Sequence, residues 1–96
     1  MAASNSPTLL SGEKTVTTSG TAEAIAAANV VEGLTIIAKA GNTGQVYVGG
    51  SDVTTSTNDG LDAGDVLEIP GPLNLADIYI DVDTNGEGVD FYANKA

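Results

Sequence analysis

Gly33–Val53 reads GLTIIAKAGNTGQVYVGGSDV. Within it, Leu34, Ile36 and Ala38 alternate with Thr35, Ile37 and Lys39, the period-two pattern of a strand with one face buried. Ala40-Gly41-Asn42-Thr43-Gly44 then breaks the run with two glycines and an asparagine, residues that accept positive φ in tight connections. Gln45–Val48 resumes in extended form, with Val46 and Val48 facing one way and Gln45 and Tyr47 the other. Two such runs around a glycine-containing loop of about five residues predict a β-hairpin.

The same alternation recurs on both sides of this stretch. Downstream, residues 50–64 form a polar connection anchored only by Val53 and Leu61, and Asp65–Ile69 reads as a short strand. Pro70-Gly71-Pro72 is expected to end that strand, because proline lacks the ladder donor and restrains the residue before it. In Asp77–Val82, Ile78, Ile80 and Val82 share one face opposite Asp77, Tyr79 and Asp81. Residues 83–88 follow as a turn and Val89–Ala93 as the last strand.

Upstream, Glu13–Thr18 is rich in threonine and valine and reads as the first strand. Thr21–Ala28 has helix-favouring alanines. Its brevity and its alternation of Ala22, Ala24 and Ala26 favour a strand ending near Ile25 or Ala26, with a single helical turn over 23–28 as the alternative. Residues 1–12, with only Leu9 and Leu10 between Pro7 and Gly12, read as an extended arm. The expectation is an all-β chain: a small antiparallel β-sandwich or barrel of six to seven short strands. Residues 1–12 form its N-terminal arm and residues 13–96 a single β domain.

Composition narrows the function. Ninety-six residues with four aromatic rings and no tryptophan offer a thin core, which subunit association can supplement. Thirteen acids against three lysines and no arginine give a net charge of −10. That argues against nucleic acid, whose phosphates need cationic contacts, and against an anionic membrane surface. It suits a soluble particle surface, a basic protein partner or a cation. With neither cysteine nor histidine, thiol and imidazole catalysis are excluded, and the serines and threonines have no companion base. An enzyme is not expected. The amino terminus lacks the basic region and apolar core of a secretory signal, and no apolar run reaches membrane-spanning length. The chain is expected to start in a cytoplasm.

Two acidic clusters are candidate cation sites. Asp81, Asp83 and Asn85 stand at positions one, three and five before Gly86, like the opening of a calcium loop. Position twelve is Tyr92 where that loop needs a bidentate glutamate. The competing reading is a turn in which Asn85-Gly86 supplies positive φ. Asp59, Asp62 and Asp65 are the second cluster, and loop aspartates commonly cap turns. Paired carboxylates can hydrolyse glycosides, but little large apolar surface is available to build a pocket around them. Tyr47 and Tyr79 sit opposite the more apolar faces of their strands and are candidate interface residues, as tyrosine is enriched at interfaces. Leu9 and Leu10 are the arm's anchors in that reading.

The segments AGNTGQVYVGGSDVTTST, GLDAGDVLEIP and LADIYIDVDTNGEGVDFYA carry a resemblance. Together they resemble small β-rich structural proteins of tailed bacteriophage virions, over roughly residues 33–92. Those proteins share an N-T-G-x-V-Y-V-G-G-S-x-V segment, a later A-G-D/E-x-L-x-L/I-P strand and a D-I/V-Y-V/I-D strand. Here these match Asn42–Val53, Ala63–Pro70 and Asp77–Asp81. The resemblance implies a virion component made in the host cytoplasm. Foremost is a capsid decoration (cement) protein, often a homotrimer, that binds the major capsid protein and stabilises the expanded shell. A neck, tail or fibre-attachment role is the alternative within that class, and a calcium- or carbohydrate-binding surface module the alternative outside it.

Overall fold

The computed structural model describes residues 8–57 and 59–95. In chain order the strands are β1 (Thr8–Thr15), β2 (Glu23–Ala24), β3 (Val30–Ala38), β4 (Val46–Gly49), β5 (Val66–Asn74), β6 (Tyr79–Val82) and β7 (Gly88–Lys95). A 3-10 turn, Leu75–Asp77, precedes β6, and the Asn74 side chain caps it by accepting from the Ala76 N–H. The strands form two antiparallel sheets, β1-β7-β3-β5 and β2-β6-β4. Neither sheet closes on itself, so the fold is an all-β sandwich and not a barrel.

The core lies between the sheets. Val31, Leu34, Ile36 and Ala38 from β3 and Val89, Phe91 and Ala93 from β7 meet Val46 from β4 and Ile80 and Val82 from β6, with Val16, Ile25 and Leu75 closing the ends. Burial alternates along β3 and β7 as the sequence predicts, because successive side chains of a strand point to opposite faces.

Three expectations are corrected. Residues 34–39 and 45–48 are extended but do not pair. β3 bonds to β5 and β7, while β4 bonds to β6. The glycine-rich stretch between them crosses from one sheet to the other. The β6–β7 connection makes the same crossing, and the two are tied together. The Lys39 N–H donates to the Gly88 carbonyl at 3.1 Å and the Asn42 side chain donates to the same carbonyl at 2.8 Å.

Pro70-Gly71-Pro72 does not end its strand, since β5 runs on to Asn74. β5 is an edge strand, where proline's missing N–H need not cost a ladder bond. The pairing also slips there, between Val31 and Gly33. Gly71 packs on the backbone of Glu32, where an added Cβ would lie 2.7 Å from the Glu32 Cα.

Finally, Thr8–Gly12, read as arm, is the first part of β1 and pairs with Phe91–Lys95. The remainder of that expected arm, residues 1–7, lies outside the described residues.

Candidate functional site

The sequence's calcium candidate is a set of loop fasteners. Asp81 is fully buried. Its Oδ1 accepts from the Gly20 N–H at 3.0 Å and from the Val82 N–H at 2.8 Å, and its Oδ2 meets no donor among the described residues. Asp83 Oδ2 accepts from the Gln45 N–H at 3.1 Å and from the Tyr47 hydroxyl at 3.2 Å. Asn85 Oδ1 accepts from the Ser19 N–H at 2.7 Å, while Gly86 takes the positive φ of 83° expected of it.

Each oxygen group therefore reaches a different neighbour. Asp81, Asp83 and Asn85 do not converge, and among the described residues no three acidic side chains are grouped to hold a metal ion. In the second cluster, Asp65 Oδ2 accepts from the Asp62 N–H at 2.9 Å, the turn-capping use of such aspartates, and Asp62 Oδ1 accepts from the Gln45 side chain at 2.9 Å.

Tyr47 is buried, with 7% exposure. The outer face of the three-stranded sheet is covered by the β4–β5 connection, whose Gly60 packs so closely that an added Cβ would sit 3.0 Å from the Tyr47 ring. Burial and the adjacent Asp83 carboxylate push the Tyr47 hydroxyl above the ordinary tyrosine range. Tyr79 is half-buried on the same face, opposite Gly49 and Ala24. Leu10 turns inward against the core. Of the four interface residues expected from sequence, Leu9 is the freely exposed one, at 66%.

Among the described residues nothing covers the outer face of the four-stranded sheet. Strand register lays its side chains out in rows. One row runs Glu13, Asp90, Ile37, Val66, and the next Ser11, Tyr92, Thr35, Glu68. Leu9 lies opposite Asn94, and Gly33 opposite Pro70. An open groove of about 530 Å³ crosses this face, lined by Leu9, Tyr92, Thr35, Glu68 and Pro70, with Gly33 contributing no side chain to it. Leu9, Val66 and Tyr92 are exposed by 66%, 55% and 44%.

At the end of the first row Lys39 Nζ lies 2.6 Å from Glu13 and 2.8 Å from Asp90. The Asp90 hydrogen bond and then that to Glu13 hold the ammonium above the ordinary lysine range, so it stays charged. Chemically the face offers apolar area rimmed by hydrogen-bonding groups, which is equipment for holding a partner.

Tyr92 and Val66 were missed as surface anchors. Tyr92 had a legible signal, because it alternates with Phe91 and Ala93, and burying those two turns it outward. Compared with protein-family models, curated proteins and solved structures, the chain matches none.

Proposed function

We propose that this chain is a structural protein of a tailed-phage virion, a capsid decoration protein that binds the expanded head shell. The observation that carries the binding role is the outer face of the four-stranded sheet, uncovered among the described residues, with Leu9 and Tyr92 exposed along an open groove and Val66 exposed in the neighbouring row. The assignment to the phage head rests on the resemblance of residues 33–92. The acidic surface, at net −10, supports the reading as well, since it keeps free copies soluble before they meet the shell. Binding the assembled shell and not its subunits stabilises the shell by mass action.

The test is binding of the purified chain to expanded and unexpanded heads assembled from a tailed-phage major capsid protein. Saturable binding to expanded heads, with a raised melting temperature of the heads, is expected. Tyr92→Ala should weaken it by about 1–3 kcal/mol, as for an aromatic anchor, while the free chain stays folded. Binding confined to the portal vertex or the tail would make it a neck or tail component instead. Deleting residues 1–12 is not a clean test of an arm, because it removes Thr8–Gly12 from β1. Removing residues 1–7 is.

A further inference from the structure

The four outermost strands are not alike. β5 carries Pro70 and Pro72, β2 is two residues long, and β4 is bridged at Val46 by Leu61, each N–H donating to the other's carbonyl. Short edges, prolines and covering segments are the usual guards against strand addition. Among the described residues β1 has none of these three, and its two charged residues, Glu13 and Lys14, which could also blunt an edge, are engaged within the chain by Lys39 and Glu23. Its eight residues, TLLSGEKT, contain no proline and pair with β7 in unbroken register. Among the described residues no other backbone group bonds to them.

Charge selects what can approach that edge. All three lysines gather there: Lys14 lies on β1 and bonds Glu23, Lys39 bonds Glu13 and Asp90, and Lys95 pairs opposite Thr8. Against Glu13, Glu23 and Asp90 they sum to zero, so the other ten acids carry the whole net charge of −10. A basic partner is drawn to the rest of the surface. A second copy meets least repulsion here.

We infer that β1 is an association edge, pairing antiparallel with β1 of a second copy about a two-fold axis, so that the four-stranded sheet continues across both. Paired residues must share a face for the sheet to continue, which puts Ser11 or Gly12 on the axis. Ser11 then meets either its own counterpart or Glu13 of the second copy. The exposed Leu9 is brought against Glu13 or Thr15 of that copy. The inference does not depend on the virion reading.

Because either register sets Ser11 against Ser11 or Glu13, Ser11→Glu places like charges directly opposite and should weaken the dimer about tenfold. The measurement is native mass by sedimentation across a concentration series. A dimer is expected for the unaltered chain, with dissociation shifted to higher concentration in Ser11→Glu and the melting temperature of the monomer unchanged. A monomer throughout, a trimer, or a dimer that Ser11→Glu leaves intact overturns it. Should Ser11→Glu unfold the chain, amide exchange on the unaltered protein decides. Protection of the Thr8–Thr15 amides that falls on dilution supports the edge, and protection independent of concentration overturns it.

Discussion

At the residue scale, Glu87 shows how much of this chain's acidity is internal fastening. Its Oε1 accepts from the Gly44 N–H at 3.0 Å, and its Oε2 from the Thr43 N–H at 2.8 Å and the Thr43 hydroxyl at 2.9 Å. Those donors, the Gly44 N–H first, hold its carboxyl below the ordinary glutamate range. A lowered folded pKa means stabilisation that is complete above the unfolded value and lost as pH falls through the folded one. Glu87→Gln should therefore lower the melting temperature at neutral pH, and the gap to the unaltered chain should close on acidification. A gap that stays constant with pH would show that the charge of Glu87 does not contribute. Glycines give a second contrast. An added Cβ at Gly12 meets the tip of the Phe91 ring at 2.6 Å, whereas at Gly88 it meets the Thr15 Cα at 2.7 Å. A ring can shift and a backbone cannot, so Gly88→Ala should cost more than the roughly 1–3 kcal/mol of ordinary overpacking that Gly12→Ala incurs. Denaturant unfolding of the two variants measures the order.

At the scale of elements, the alternation in Leu34–Ala38, Val46–Val48 and Ile78–Val82 placed the strands, because period two is a property of each strand alone. Pairing is not. A glycine-rich connection that turns back within one sheet and one that crosses to the other use the same residues. Nothing in AKAGNTGQ separates them until Asn42 and Lys39 are seen to bond Gly88. The same blindness affected Tyr47 and Asp81. Alternation assigned them to the polar face of their strands, but the polar β4–β5 connection, too apolar-poor to read as a cover, lies on Tyr47 through Gly60. It follows that the β6–β7 connection is a latch between loops whose oxygens already accept from N–H and hydroxyl donors of Ser19, Gln45 and Tyr47. Its melting temperature should be the same in calcium and in chelator. A rise of several degrees with calcium would instead require the loop to give up those bonds for an ion. Asn85→Ala should lower the melting temperature in both conditions alike, since it releases Ser19.

At the scale of the molecule, composition told what the chain avoids, and the structure adds where its charge sits. Residues 52–68 contain Asp52, Asp59, Asp62, Asp65 and Glu68 without a lysine, while the lysines all stand at or beside β1. No reading of spacing could reveal this segregation, because β7 brings Asp90 and Lys95 to β1 from the far end of the chain. The outer-face groove was illegible for a similar reason, needing Pro70, Thr35 and Tyr92 to be set side by side by three strands. Two effects then oppose each other in salt. The Lys39 pairs with Glu13 and Asp90 are partly exposed, and pairs open to solvent contribute about 1 kcal/mol or less each, which salt weakens. Repulsion among ten unbalanced acids acts on the whole fold, and salt weakens that too, over a Debye length of about 10 Å at 0.1 M. Ten acids against three short pairs favours the second effect. The melting temperature should therefore rise with sodium chloride through the physiological range, and it should rise more for Lys39→Met, which removes the pairs and leaves the acids less balanced. A fall with salt would mean that the ion pairs at the β1 edge hold the sandwich together more strongly than the acidic surface strains it.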